Sequence, residues 1–288
     1  MTLPPSNAVL VTKRFTAGEV ATLITRSQQL LGRPKLAKLL ARYARPGTAP
    51  TGHRLIELLL RMQAAAADPN GIIAGAAVAT APELTAILDL YDQWNASPAW
   101  PEFQKALNAP ADFLHAVATL AMASQLKTRH PQTELVAAVG NAKYPDLTLV
   151  VKGQHDLAVE VKAPQALWQR TRALDSGEAI RIVRRALSDS QGQLSNARPG
   201  VLVIAAFAVS EETFRMLEHG AEAVLADLRP PRPYLLGIAL QNLEVVAGAD
   251  IPALASALLV QRSRLGRNRH YQGRTQLVGD WGGDWRLQ

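Results

Sequence analysis

The sequence predicts an α/β domain with a mixed central sheet flanked by helices, preceded by an all-helical N-terminal region. Two continuous apolar runs, from Val201 to Phe207 and from Tyr234 to Leu240, are typical of strands that are buried on both faces. Residues 146–151 and 157–162 place apolar side chains at every second position, as paired strands do. Segments with helical periodicity lie between these strands, and this alternation indicates an α/β domain.

The chain of 288 residues is long enough for more than one domain, and 48% of its residues are apolar. We expect a helical, basic region over residues 1–100, the α/β domain over 110–260 and a basic, Trp-containing tail over 261–288. The chain contains no cysteine, which excludes disulfides, thiolate zinc sites and a cysteine nucleophile. No apolar run is long enough for a membrane span and no secretory signal is visible, so a cytoplasmic location is expected.

The N-terminal region is predicted to contain four helices. Thr16 and Glu19 have the spacing of a capping box, and Gly32 should end the helix that they begin. The Pro-rich segment 97–101 should separate this region from the next. The expected limits of the helices are Thr16 to Gly32, about 34–45, from Thr51 onward, and Pro82 to about Trp94.

The net charge of +7 is unevenly distributed along the chain. Residues 1–61 carry +8, residues 62–261 carry −5 and residues 262–288 carry +4. Basic ends around a mildly acidic body are typical of contact with a polyanion, and ordinary solubility charge is the alternative. In the second helix the residues at i, i+3, i+7 and i+10 are basic and form either a DNA-contacting stripe or a solvated face. These residues are Lys35, Lys38, Arg42 and Arg45.

The α/β domain should contain, in this order, a helix, three strands, a helix, a strand, a helix and a strand. The three strands are a first strand followed by the two strands of a hairpin. Residues 243–246 either extend the last strand or pair beside it. The expected limits are helix 111–126, strand 134–139, strands 146–151 and 157–162, helix 178–194, strand 201–207, helix 210–228 and strand 234–240. Such a sheet would be covered on both faces.

Asp146, Glu160 and Lys162 are predicted to meet at one end of the hairpin. A turn centred between residues 153 and 154 pairs positions whose numbers sum to about 307, so Asp146 should lie opposite Glu160 or Val161. A sum of 306 places Asp146 on the face that Glu160 and Lys162 share. Directly opposed side chains are roughly 4.5–5.5 Å apart at Cβ, so the two carboxylates repel unless a cation lies between them. The alternative is a surface hairpin in which Lys162 neutralises two acids.

Pro145-Asp146 and Glu160-Val161-Lys162, within this order of elements, resemble the PD-(D/E)XK nuclease superfamily. The resemblance covers roughly residues 110–247 and implies a restriction-endonuclease-like fold. It also implies that Asp146 and Glu160 bind Mg²⁺ or Mn²⁺ together with the carbonyl group of Val161. Lys162 would orient the attacking water and favour hydroxide beside the metal, a chemistry suited to phosphodiester cleavage.

The chain departs from this family in the helix before the sheet. Members often carry a glutamate there that adds to the metal site, but helix 111–126 contains none. Either His115 or Glu134 takes a supporting role, or the position is empty. Gln191 and Gln193 fall at the end of the following helix, where some relatives place a glutamine that supports the site.

The C-terminal segment combines arginines with an aromatic residue and glycine. Arg264, Arg267 and Arg269 suit contact with phosphates, and a packed or disordered basic terminus is the alternative. Trp281 and Trp285 are expected to anchor the segment on the body of the protein or on a partner.

These features together lead to one functional hypothesis and two alternatives. We expect a Mg²⁺- or Mn²⁺-dependent nuclease that hydrolyses DNA, with internal cleavage as the favoured mode and RNA left open as a substrate. The first alternative is an inactive nuclease fold that binds DNA within a larger complex, and the second is a protein-interaction domain. No membrane partner is expected, whereas a homodimer or a partner protein is left open.

Overall fold

The computed structural model describes residues 13–14, 17–43, 53–66, 72–73, 76–136, 144–149, 156–168, 170–247, 257–272 and 283–287. The chain divides into two compact units. One comprises Met1–Asp89 and Val245–Leu258, and the other comprises Leu90–Glu244 and Leu259–Gln288. No helix within the described ranges is long and apolar enough to cross a membrane.

The first unit is mainly helical, as the sequence predicts, and contains one small strand pair that the sequence does not reveal. Its helices bury apolar side chains such as Leu30, Leu36 and Leu59. Both terminal nitrogens of the Arg54 side chain have acidic partners, and Arg54 joins Glu83 through two hydrogen bonds of 2.8 and 2.6 Å. The elements are β1 (Lys13–Arg14), α1 (Ala17–Leu31), α2 (Arg33–Tyr43), α3 (Arg54–Ala66), β2 (Ile72–Ile73) and the first part of α4 (Ala76–Trp94). The antiparallel pairing of β1 with β2 corrects the prediction of an all-helical region.

The helix limits of this region are partly confirmed. Helix α1 ends at Leu31, and Gly32 has the left-handed φ of 83° that favours glycine after a helix. Helix α4 begins at Ala76 rather than at Pro82, because the alanine-rich segment before the proline has a high helix propensity of its own. Thr16, Arg45 and Thr51 lie outside the described residues.

The second unit is built on a mixed sheet with the strand order β3-β4-β5-β6-β7-β8-β9. Neighbours from β3 to β5 are antiparallel, those from β5 to β7 are parallel, and β8 and β9 are antiparallel. The strands are β3 (Thr133–Leu135), β4 (Leu147–Leu149), β5 (Leu157–Lys162), β6 (Gly200–Phe207), β7 (Leu235–Ala247), β8 (Ala257–Arg267) and β9 (Gly283–Leu287). The helices are α5 (Trp100–Leu107), α6 (Phe113–Arg129), α7 (Ser176–Asp189) and α8 (Glu211–Ala226).

The order from α6 to β7 is helix, three strands, helix, strand, helix and strand, as predicted. Every residue of β6 is buried, so both faces of the sheet are covered at this strand. Ala158, Leu202 and Ile204 belong to a core that also contains buried side chains of α7 and α8. Helix α6 contacts β3, β4 and β5. The strands that carry the predicted site are therefore held between packed elements rather than in an exposed hairpin.

Several predicted limits in this unit need correction. Strand β3 ends at Leu135 rather than continuing to residue 139, and α6 covers Phe113–Arg129 rather than 111–126. Helix α7 ends at Asp189 instead of residue 194, because the Ser190 hydroxyl donates to the Leu187 carbonyl and Gly192 takes a φ of 92° that a right-handed helix cannot accommodate. The C-terminal segment is not a separate tail, since it supplies β8 and β9 to the sheet. Trp285 lies in β9 opposite Gln261, and Trp281 lies outside the described residues.

Candidate active site

The register of β4 and β5 places Asp146 opposite Glu160. Leu147 pairs with Val159 and Leu149 with Leu157, so the position numbers sum to 306, one of the two values that the sequence allows. Asp146 immediately precedes β4, and its Oδ2 accepts a 2.8 Å hydrogen bond from the Val161 amide. The carboxylate of Asp146 is therefore fixed to the end of β5 by the backbone. The turn between the two strands lies outside the described residues.

Glu160 is the most buried charged group of this cluster. Its side chain is 1% exposed, and Lys162 Nζ donates a 2.6 Å hydrogen bond to its Oε1. Within the part of the chain that the structure describes, its buried Oε2 has no hydrogen-bond partner. Burial and the charge of Asp146 raise the pKa of Glu160 to about 7, against the lowering effects of Lys162 and His115. A buried carboxylate oxygen without a partner is costly unless a donor or a cation reaches it.

His115 joins the cluster from α6. Its Nε2 lies 3.1 Å from Asp146 Oδ1, so both oxygens of this carboxylate are engaged. Burial opposes a charged imidazole, but the charge of Asp146 and the hydrogen bond to it outweigh burial and raise the pKa of His115. Buried Ala116 and Val117 follow it in the helix, so packing of α6 holds the imidazole at the end of β4. The structure thus brings His115, the first of the two alternative supporting residues, to Asp146.

Lys162 is the last residue of β5 and remains partly accessible, with 21% of its side chain exposed. The strand period of two places it on the same face as Glu160, which explains their direct contact. Its ammonium group therefore lies between a buried carboxylate and solvent. This arrangement lets the ammonium group meet a negatively charged group that approaches from outside.

The donor set can be tested against a divalent cation. The parts of the chain that are described contain no group of three or more His, Asp or Glu side chains arranged to hold a metal ion. Asp146, Glu160 and the Val161 carbonyl group would supply oxygen ligands, the type that Mg²⁺ and Mn²⁺ prefer, and Mg²⁺ usually retains several waters. The buried Glu160 Oε2 without a partner fits such an ion, because a cation would satisfy it.

The remaining supporting residues that the sequence predicts lie on β3 and after α7. Glu134 is on β3 and exposed, and it is Val136 whose amide donates to the Asp146 carbonyl group. Gln191 and Gln193 follow the end of α7 rather than lying on the helix. Among the described residues, the buried Oε1 of Gln193 has no hydrogen-bond partner.

The predicted DNA-binding residues fall in separate places. Lys35, Lys38 and Arg42 are exposed on α2. Arg267 is exposed at the end of β8, whereas Arg269 donates a 3.3 Å hydrogen bond to the Ala226 carbonyl at the end of α8. Arg264 lies in β8, and Arg45 lies outside the described residues.

The surroundings of the cluster include side chains that sequence reasoning did not single out. Tyr144, two residues before Asp146, is 40% exposed, and the Arg198 guanidinium lies 5.3 Å from the centre of its ring. Arg185 of α7 lines a cleft together with Lys162. The sequence signal for Arg185 is its helical spacing from Asp189, which gives no indication of what lies beside it.

Comparisons with models of protein families, with curated proteins and with solved structures find no match. The functional assignment of this cluster therefore depends on its own geometry and charge.

Proposed function

We propose that the protein is a metal-dependent deoxyribonuclease that hydrolyses phosphodiester bonds, with internal cleavage as its main mode. One observation carries this proposal: Asp146, Glu160 and Lys162 converge at the ends of two paired strands, where Glu160 is buried and one of its oxygens has no partner among the described residues. Two carboxylates and an ammonium at this spacing suit a hard cation and a phosphate substrate.

The proposed fold class is a restriction-endonuclease-like core over residues 113–247. The order of elements from α6 to β7 supports it, as does the change from antiparallel to parallel pairing at β5. The end of β5 that carries Lys162 leads directly into the segment before α7. Side chains at that end can therefore act on a substrate that approaches from outside the sheet.

Asp146, Glu160 and the Val161 carbonyl oxygen would hold Mg²⁺ or Mn²⁺. When bound, the ion supplies Lewis-acid polarisation of a phosphoryl oxygen and lowers the pKa of a water molecule. Contacts within the metal-free protein already hold these side chains in place. The Val161 amide and His115 fix the orientation of the Asp146 carboxylate, and β5 holds Glu160 where its pKa is about 7 without a metal.

Lys162 has the second role in the proposed chemistry. Its ammonium group is a compact positive charge with three donors, and one of them reaches Glu160. The other donors can bind a phosphate oxygen or orient a water molecule, and the positive charge stabilises the negative charge that develops during phosphodiester cleavage. Partial exposure of Lys162 leaves that side open to substrate.

The test is incubation of the full chain with supercoiled plasmid, linear duplex and single-stranded DNA, with Mg²⁺, Mn²⁺ or EDTA. We expect cleavage only with a divalent ion, and a loss of about 100-fold or more in Lys162→Ala and Asp146→Asn. Lys105→Ala, which removes an exposed lysine on α5, is the matched control and should retain activity.

Two results would contradict the proposal. The first is absence of cleavage of any of these substrates by the wild type. The second is undiminished cleavage by the Lys162 and Asp146 variants, which would indicate a contaminating nuclease. Salt-sensitive retardation of DNA without turnover would instead support the inactive DNA-binding module, and an RNA substrate assayed in parallel identifies the preferred nucleic acid.

A further inference from the structure

A cleft of about 450 Å³ lies directly beside Lys162, which forms part of its wall. Pro164 and Gln165, just after β5, form one side, and Ile182 and Arg185 of α7 form the other. All of these residues belong to the same compact unit as the candidate active site. A substrate group that enters the cleft therefore meets the part of the wall that Lys162 forms.

The wall of the cleft combines apolar surface with two cations and an amide. Ile182, Pro164 and neighbouring alanines provide surface that a base or a sugar can cover. Lys162 and Arg185 provide positive charge, and the Gln165 side chain can both donate and accept hydrogen bonds. A volume of this size falls in the range of about 300–1,000 Å³ that small-molecule sites occupy. This combination matches the parts of a nucleotide.

We propose that the cleft binds the nucleotide adjacent to the scissile phosphate, and that Arg185 contacts its phosphate group. This inference rests on the proposed nuclease function, because that function places a scissile phosphate at Lys162. A nucleotide in the cleft aligns the chain of the substrate relative to the cluster of Asp146 and Glu160.

The ion pairs of α7 distinguish Arg185 from its neighbour Arg184. Arg185 Nε lies 3.8 Å from Asp189 Oδ2 one helical turn later, and both side chains are largely exposed, so the pair separates at little cost. Asp189 also lines the cleft and repels a phosphate there. Arg184 instead points to Asp227, at 3.4 Å, and is not part of the wall. The two arginines are therefore a matched pair for substitution.

The experiment is calorimetric titration of the full chain with thymidine 5′-monophosphate in EDTA. Thymidine and inorganic phosphate are titrated separately. We expect the nucleotide to bind more tightly than either of its parts. Arg185→Ala should weaken its binding about tenfold, and Arg184→Ala should leave it unchanged. Asp189→Asn should strengthen binding, because it removes a negative charge from the wall of the cleft. Each variant alters an exposed side chain, and thermal midpoints equal to that of the wild type verify that the fold is intact.

Failure of this inference and failure of the proposed function give different results. If the nucleotide does not bind the wild type, or binds Arg185→Ala and Arg184→Ala equally well, the cleft assignment is wrong even when the protein cleaves DNA. If the nucleotide binds in an Arg185-dependent way but no DNA is cleaved, the cleft is a nucleotide site that depends on Arg185, and the nuclease proposal fails. In an active enzyme, Arg185→Ala should raise KM for a short oligonucleotide more than it lowers kcat.

Discussion

Ionisation of the Glu160 carboxyl group lowers the free energy of unfolding, and this loss can be measured directly. In the metal-free protein, burial and the charge of Asp146 raise its pKa from 4.5 to about 7. The folded state therefore holds this proton more tightly than the unfolded state does. The stabilisation that proton binding to Glu160 contributes to the free energy of unfolding is fully present below pH 4.5. It is lost as the pH rises through about 7. Glu160→Gln keeps the shape of the side chain and removes this titration.

The two pKa values set the magnitude of the effect. One pKa unit corresponds to about 1.36 kcal/mol, so the complete loss is about 3 kcal/mol, and about 2–3 kcal/mol of it falls between pH 5 and pH 8. We expect Glu160→Gln to gain this amount over the wild type across that interval. His115, Asp146 and Lys162 face Glu160 and are present in both proteins. Replacing Glu160 also removes its raising effect on the pKa of His115, so the difference includes this smaller change.

The assay is urea unfolding in EDTA, followed by circular dichroism at pH 5, 6, 7 and 8. Glu244→Gln, which neutralises an exposed acid on β7, is the control and should show no such pH dependence relative to the wild type. Saturating Mn²⁺ should favour the wild type, because the proposed ion needs a carboxylate ligand. A difference between Glu160→Gln and the wild type that stays constant from pH 5 to pH 8 would refute the reasoning.

Three further predictions concern other parts of the chain. Gly220→Ala should lower the free energy of unfolding by about 1–3 kcal/mol in urea denaturation, because its Cβ would lie 3.0 Å from a backbone carbon of α7. A gain of about 1 kcal/mol, the usual effect of alanine in a helix, would contradict this packing. His115→Gln in EDTA should destabilise the protein more at pH 6 than at pH 9. The pKa of His115 is raised beside Asp146, so the stabilisation that protonated His115 contributes to the free energy of unfolding is lost as the pH rises. Equal losses of stability at both pH values would contradict this. If the exposed face of α2 contacts DNA, the double variant Lys35→Ala with Lys38→Ala should reduce the slope of log Kd against log salt by about two. Fluorescence anisotropy measures this slope, and an unchanged slope would indicate a solvated face.

The hairpin shows how far local sequence rules extend. Alternation and the position of the turn limited the register to two values, and the structure has the one that places Asp146 opposite Glu160. The choice between the two could not be made from the sequence, because it depends on backbone geometry in the turn and on hydrogen bonds such as Val161 to Asp146. Since the side-chain period is two, the other register would have turned Asp146 to the opposite face.

Contacts between elements that are distant in sequence account for most of what could not be predicted. His115 precedes Asp146 by 31 positions, and only the packing of α6 against the sheet brings them together. A polar residue on a helix gives no indication of its partner. The strands of the C-terminal segment could not be predicted for the same reason. Its arginines suggested a basic tail, whereas tertiary structure determines which strands β8 and β9 pair with in the sheet.

The charge of the cluster bears on both DNA-related hypotheses. Asp146 and ionised Glu160 carry two negative charges, Lys162 carries one positive charge, and neutral His115 adds none, so the sum is −1. A phosphate that approaches this end of the sheet meets repulsion unless protons or a cation compensate it. Burial, together with the charge of Asp146, raises the pKa of Glu160 to about 7 in the metal-free protein, so protonation of Glu160 near neutral pH removes part of this excess. A divalent cation would reverse the sign of the cluster and satisfy the buried Oε2. Under either hypothesis we therefore expect binding of DNA at this position to depend on binding of a metal, whether or not the phosphodiester is cleaved.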